Sequence, residues 1–88
     1  MYKLIKYFKP NCTPCKIMEK TISEFLNSHS EVELKNVNIN DLSTEEYKAL
    51  KIRTVPTVHL LEDNNLVSVC AGSAQLSQFT KWFDDSIR

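Results

Sequence analysis

The chain has 88 residues, of which 42% are hydrophobic and 25% charged, and its 11 basic and 11 acidic side chains give a net charge of zero. These values are ordinary for a soluble globular chain, and the length predicts a single domain over residues 1–88. A balanced charge provides no broad basic field for nucleic acid, and no apolar run approaches the roughly 18 residues that span a membrane, so we expect neither partner.

The start of the chain and its cysteines indicate the compartment. The segment MYKLIK leads directly into an apolar run, without the hydrophobic region and small-residue cleavage site of a signal peptide. Three cysteines do not suit a disulfide-stapled secreted scaffold, and in the cytosol a cysteine pair is more often catalytic or metal-binding. We therefore expect a cytoplasmic protein.

The first part of the chain alternates strand and helix. Tyr2–Phe8 carries apolar groups on both faces of a predicted strand, which is typical of a sheet covered on both sides. A helix is predicted from Thr13 to Asn27 or Ser28, since a proline suits its first turn and apolar residues recur every three or four positions. Glu31–Asn38 is the second predicted strand, and a crossover of this length makes the two strands parallel.

A capping-box pattern marks the start of a second, short helix. It follows the predicted turn Asn40–Ser43. Ser43 and Glu46 have the spacing at which each side chain bonds the backbone N–H of the other residue. The helix is predicted to run to about Lys51.

The last part is predicted as a hairpin and a helix. Two β-rich runs, Thr57–Glu62 and Leu66–Ala71, flank the tight-turn signal Asp63–Asn65. Gly72 ends the second run, and the apolar spacing predicts a helix over Ser73–Ile87. The full order is β-α-β-α-β-β-α, an α/β fold.

A Cys-x-x-Cys motif lies where the first strand meets the first helix. Its residues are Pro10, Asn11, Cys12, Thr13, Pro14, Cys15 and Lys16. Two thiols at this spacing can form a disulfide within one helical turn, and the first thiol sits at the helix N-terminus. Free backbone N–H groups and the helix dipole favour its thiolate there, and the thiolate is the nucleophile in thiol–disulfide exchange.

The element order and two motifs resemble the thioredoxin superfamily over essentially the whole chain. The motifs are Cys-Thr-Pro-Cys after the first strand and Thr-Val-Pro-Thr, residues 54–57, before the third. The resemblance implies a thioredoxin-like fold, with a four-stranded mixed sheet in strand order 2-1-3-4 and helices on both faces. It implies a glutaredoxin-sized core, without the first strand and helix of a full-length thioredoxin, and a dithiol–disulfide oxidoreductase active in electron transport and cell redox homeostasis.

The resemblance assigns roles to the residues of the two motifs. Cys12 would be the exposed attacking thiol, and Cys15 the buried thiol that resolves the mixed disulfide. Pro56 would follow a cis peptide bond and face the cysteines. The N–H and C=O of Val55 would then lie beside the disulfide, where a substrate backbone could pair with them as a short added strand.

Further substrate contacts are expected around this groove. Gly72 and Ser73 match the loop that forms its third side, where a glycine lets another backbone approach closely. Asn11, Thr13 and Pro14 lie around the cysteines in the motif and are also predicted to contact the substrate.

Two positions depart from the family pattern. Asn11 stands where thioredoxins usually have tryptophan, and Lys6 stands where they carry a buried acid on the first strand. A cation near the cysteines would favour the thiolate and the reduced protein. Lys6 is therefore predicted to tune the cysteine pKa and to make the protein a stronger oxidant than a typical thioredoxin. The alternative is that its side chain extends to solvent without effect.

The resemblance implies that electrons come either from thioredoxin reductase, with NADPH, or from glutathione. Pro14 between the cysteines is similar to the thioredoxin type. The Gly-Gly and acidic pair by which glutaredoxins bind glutathione are missing, although the Val55–Pro56 turn could still bind a glutathione backbone. We expect a monomer with no bound cofactor, which acts on disulfide-containing proteins such as ribonucleotide reductase.

A metal site is the main alternative. Cys12 and Cys15 could form half of a structural zinc site, completed by Cys70 with His29 or His59. The sequence shows no second paired-ligand cluster, so no metal ligand is predicted, and an iron–sulfur cluster shared between two chains through Cys12 is a lesser alternative. Cys70 is interpreted as an apolar filler on an edge strand, with a regulatory role as its alternative.

Overall fold

Strands and helices follow one another in the predicted order. A computed structural model describes residues Met1–Arg88. The elements are β1 (Tyr2–Phe8), α1 (Thr13–Ser28), β2 (Glu33–Asn38), a 3₁₀ turn (Ile39–Asp41), α2 (Thr44–Leu50), β3 (Thr57–Glu62), β4 (Asn65–Ala71) and α3 (Leu76–Ser86). The order β-α-β-α-β-β-α is confirmed. None of the helices has the length and apolar character needed to span a lipid bilayer.

The four strands form one mixed sheet in the order β2-β1-β3-β4. β1 pairs in parallel with β2 and antiparallel with β3, and β3 pairs antiparallel with β4. These pairings confirm the predicted α/β fold and strand order. Because β1 is an interior strand, the loop that follows Phe8 leaves from the centre of the sheet, and this loop carries the cysteine motif.

β2 begins at Glu33 rather than at the predicted Glu31. Val32 precedes the strand and is buried in the core. The ladder is regular where the sequence alternation is irregular, and Asn36 lies opposite Lys6 of β1. β2 is an edge strand that is mostly exposed, so burial does not impose a clear alternation on its sequence.

The hairpin between β3 and β4 turns at Asp63 and Asn64, whose φ angles are 50° and 71°. Positive φ at both positions is typical of a type I′ turn, whose twist matches that of the flanking strands. Aspartate and asparagine adopt this region more readily than most other residues. β4 therefore starts at Asn65, directly after the turn and one residue before the predicted start.

α3 begins at Leu76, three residues later than predicted. The preceding segment is tied to α1, because the carbonyl of Ala74 accepts a 2.7 Å hydrogen bond from the Thr21 hydroxyl. The backbone N–H of Gln75 then donates to the Gln78 side chain at 3.1 Å, which caps the helix start. In contrast, the capping box predicted at the start of α2 is present as expected.

The main core lies between the sheet and the helices α1 and α3. Phe25 of α1 is 1% exposed and makes edge-on contacts with Phe79 and Phe83 of α3, at ring-centroid distances of 5.1 and 4.9 Å. The buried core residues are Leu4, Met18, Ile22, Phe25, Val32, Val58, Leu60, Phe79 and Phe83. This packing fixes α1 against the sheet, and it thereby fixes the N-terminus of α1, where the cysteines lie.

Candidate active site

The cysteine pair sits at the N-terminus of α1 as a disulfide, Cys12–Cys15, with a Cα–Cα distance of 5.2 Å. Cys12 is the N-cap residue, and its sulfur accepts a 3.2 Å hydrogen bond from the backbone N–H of Cys15. The N–H of Lys16 donates to the Cys12 carbonyl, which closes the first helical turn around the motif. In the reduced protein this N–H and the helix dipole favour negative charge on the Cys12 sulfur.

Both cysteines are largely enclosed in the disulfide form. Cys12 is 6% exposed and Cys15 is 5% exposed, so the prediction of an exposed Cys12 is wrong for the oxidised state. The reason is that the Cys12 sulfur packs 4.0 Å from the Val55 carbonyl oxygen as well as against its own helix. Access still differs, because Cys12 lines two surface clefts, of about 320 and 450 Å³, whereas Cys15 lines only the smaller one.

The larger cleft, which we call the loop cleft, brings four of the predicted substrate-binding residues together beside Cys12. Its walls include Asn11, Thr13, Pro14 and Val55. Asn11 has a φ of 58°, in the left-handed region that asparagine tolerates, and it turns the chain into the helix. The cysteine motif and the proline loop thus both line the loop cleft.

The Val55–Pro56 peptide bond is cis, as the resemblance implies. Pro56 is fully buried, and its carbonyl accepts a 2.8 Å hydrogen bond from the backbone N–H of Gly72. Gly72 has a φ of 82°, a conformation that strains any residue with a side chain. This bond holds Gly72 against the proline loop, whereas Ser73 is exposed and lines neither cleft.

The smaller cleft, which we call the lysine cleft, holds Lys6 with both cysteines. Lys6 is 6% exposed, and its Nζ lies 5.6 Å from the centre of the Phe8 ring. Burial lowers the pKa of Lys6, and the carboxylate of Glu19 partly offsets that effect. The side chain is therefore enclosed in the cleft that the two cysteines also line, and it does not extend into bulk solvent.

Several residues of the two clefts were missed by the sequence interpretation. Glu19 and Asn36 line the lysine cleft, and Lys9, Tyr47 and Arg53 line the loop cleft. Only Glu19 had a local signal, since it follows Cys15 by four positions and so lies on the same helix face. The others come from separate elements that meet only in the folded chain.

The structure does not bring together the ligand set that the zinc alternative requires. His29 stacks on Phe25 with ring centroids 4.0 Å apart, and His59 packs against Tyr7 on β1 at 4.8 Å. Cys70 is half-buried and packs against the core. No group of three or more histidine, cysteine or acidic side chains is placed to hold a metal ion.

Cys70 is expected to react slowly with alkylating agents. Burial raises the pKa of its thiol, so its thiolate fraction at neutral pH is smaller than that of an ordinary cysteine. In the oxidised protein Cys70 is the free thiol, which allows a clean measurement with iodoacetamide. We expect its rate to rise with pH to a midpoint above that of an exposed cysteine peptide measured in parallel. A midpoint equal to the peptide's would contradict the burial seen here.

Several known proteins resemble this chain in sequence or in fold. A family profile described as Thioredoxin matches residues 2–85. Thioredoxin f2 from Chlamydomonas reinhardtii superposes with a TM-score of 0.82 at 20% identity, covering 96% of this chain and 77% of that chain. The oxidised form of mitochondrial thioredoxin 3 from Saccharomyces cerevisiae gives a TM-score of 0.81 at 20% identity with the same coverage. A malarial protein gives 0.85 at 10% identity, covering 100% of this chain and 99% of that chain.

No curated protein sequence gave a match to the chain. The structural likenesses, at identities of 20% and below, show the fold alone. The profile match is a separate finding, because it covers nearly the whole sequence and includes the Cys12–Cys15 pair and the cis-proline loop. The chain belongs to the thioredoxin family.

Proposed function

We propose that this protein is a thiol–disulfide oxidoreductase that reduces protein disulfides through Cys12 and Cys15. The family and the disulfide at the start of α1 support this class of chemistry. The observation that carries the proposal is the 3.2 Å hydrogen bond from the Cys15 N–H to the Cys12 sulfur, because it directs the helix N-terminus at one sulfur of the pair. Both clefts reach that same residue, so charge stabilisation and access coincide at Cys12.

The proposed reaction moves two electrons from the protein dithiol to the substrate in two displacements. The Cys12 thiolate attacks one substrate sulfur, forms a mixed disulfide and expels the other substrate sulfur as a thiolate, which takes a proton from water. The Cys15 thiolate then attacks the Cys12 sulfur, which expels the second substrate thiolate and leaves the Cys12–Cys15 disulfide. The substrate backbone would lie along Val55, whose carbonyl oxygen is 4.0 Å from the Cys12 sulfur.

The electron donor in this proposal is thioredoxin reductase with NADPH, and the alternative is glutathione. Pro14, which lines the loop cleft next to Cys12, supports the thioredoxin type. The Val55–Pro56 turn supports the alternative, because the N–H and C=O of Val55 make no backbone hydrogen bond and could also pair with a glutathione backbone. The mechanism requires no bound organic cofactor, since electrons enter and leave through sulfur. We place this activity in the cytoplasm, in a monomer, with substrates such as ribonucleotide reductase.

Two electron supplies test this proposal on one protein disulfide. One supply is NADPH with thioredoxin reductase, and the other is NADPH with glutathione and glutathione reductase. We expect turnover with the first supply, while turnover only with the second would make the protein a glutaredoxin. As a control, protein reduced beforehand with dithiothreitol should release two substrate thiols per molecule without either supply. Failure of that stoichiometric reaction would contradict oxidoreductase function.

Removal of the charge on Lys6 is expected to destabilise the Cys12 thiolate relative to the thiol. Because Lys6 lines the same cleft as Cys12 and a nearby cation favours a thiolate, Lys6→Met should raise the pH midpoint of Cys12 alkylation by about one unit. One unit is about 1.4 kcal/mol, which corresponds to a reduction potential about 30 mV more negative. Burial lowers the pKa of Lys6, so high pH removes the lysine charge. The difference in reduction potential between Lys6→Met and wild type should therefore shrink as the pH rises.

Lys6→Arg is the matched control, because it keeps a cation at the same strand position. It should retain most of the wild-type midpoint and potential. If Lys6→Met leaves both the midpoint and the potential unchanged, Lys6 does not tune the cysteines.

A further inference from the structure

The loop cleft carries two cations that the proposed displacement steps do not use. Lys9 and Arg53 both line this cleft with Cys12 and Val55, and both are exposed. Neither takes part in an ion pair, since the salt bridges of the structure lie at the chain's N-terminus and within α3. Two unpaired cations thus flank the space in which a substrate would meet the Cys12 sulfur.

The charge around Cys12 is unbalanced although the chain as a whole is neutral. The charged residues that line the two clefts are Lys6, Lys9, Lys16, Glu19 and Arg53. Four of these five are cations, and the loop cleft has no acidic residue in its walls. Because the sequence contains 11 basic and 11 acidic side chains, this local excess is not a consequence of composition. A concave site with one sign of charge concentrates groups of the opposite sign.

We propose that the loop cleft selects disulfides in protein segments that carry acidic residues beside the reactive cysteine. This inference rests on the function proposed above and names the class of its substrates. A segment that adds along Val55 as a strand advances about 3.3 Å per residue, so the neighbours of the substrate cysteine fall within the cleft. There a substrate carboxylate can accept two parallel N–H bonds from the Arg53 guanidinium, and Lys9 adds a point charge.

Three peptide disulfides that differ only beside the cysteine provide the test. Their flanking residues are glutamate, glutamine or lysine, and the readout is the second-order rate constant for reduction by protein that was reduced beforehand. Exposed ion pairs contribute a few-fold each, so we expect the acidic peptide to react about tenfold faster than the basic one at low salt. The preference should fall to about twofold at 1 M salt, where the Debye length is about 3 Å.

The variant Lys9→Gln/Arg53→Gln should reduce the ratio of acidic to basic rates to between about one and two. The control Lys35→Gln/Arg88→Gln removes the same charges from exposed positions that line neither cleft, and it should retain the wild-type ratio. Equal wild-type rates for all three peptides would overturn this inference alone, whereas reduction of none would also overturn the proposed function. Glutathione disulfide reacting faster than the acidic peptide would overturn the assignment to protein segments.

Discussion

Cys12→Ser is expected to abolish disulfide reduction, whereas Cys15→Ser is expected to trap a mixed disulfide with the substrate. A serine hydroxyl at position 12 cannot replace the thiolate, so the first displacement falls to the uncatalysed rate. In Cys15→Ser the first attack by Cys12 remains, and the helix N-terminus still stabilises its thiolate. The second displacement is lost, so the reaction should stop after one equivalent of substrate thiol has been released.

Mass spectrometry of the variants under non-reducing conditions measures this difference directly. Cys15→Ser should gain the mass of one substrate chain, and that adduct should disappear on addition of dithiothreitol. Cys70→Ser is the matched control, because it also removes one cysteine but from a half-buried position on β4 that lines neither cleft. It should turn over at the wild-type rate. Equal activity of the Cys12 and Cys15 variants, or an adduct in Cys12→Ser, would refute the assigned roles.

Most of the fold was predictable because its signals are local or belong to the family resemblance. The apolar stripe of α1, the capping box at Ser43 and the turn at Asp63 and Asn64 are all patterns of a few neighbouring residues. The start of α3 was not predictable in this way. It depends on the hydrogen bond between Thr21 and Ala74, which are 53 positions apart, and such a contact leaves no pattern in either segment.

The candidate site was likewise predictable where its signals are local or belong to the resemblance, and not where they depend on distant residues. The disulfide between Cys12 and Cys15 follows from their spacing at a helix start, and the resemblance led to the cis bond before Pro56. The enclosure of Cys12 was missed because it arises from Val55, which is 43 positions away. Arg53 was missed for a similar reason, since an exposed arginine before a proline loop has no feature in sequence that marks it as part of a cleft.

Phe25→Ala is expected to destabilise the protein by about 4 kcal/mol, without direct effect on the chemistry of the cysteines. Phe25 is 1% exposed and packs against Phe79 and Phe83, so its truncation leaves a cavity that rigid neighbours fill only in part. A loss of this size is a large part of the roughly 5–15 kcal/mol by which a small domain is stable. The position is ten residues beyond Cys15, or about 15 Å along the helix, so it contacts neither sulfur.

Urea unfolding of the oxidised protein measures the stability loss, and Ile17→Ala on the same helix is its control. Ile17 is 49% exposed, so its truncation should change the free energy of unfolding by only about 0.5 kcal/mol. When each variant has been reduced beforehand with dithiothreitol, it should reduce a peptide disulfide at close to the wild-type rate per folded molecule at low urea, where both variants are mostly folded. Equal stability losses in the two variants would show that the Phe25 cluster does not hold α1 against the sheet. If Phe25→Ala instead lowered the rate of disulfide reduction per folded molecule, the stability of the Cys12 thiolate would depend on the packing of the whole helix as well as on its first turn.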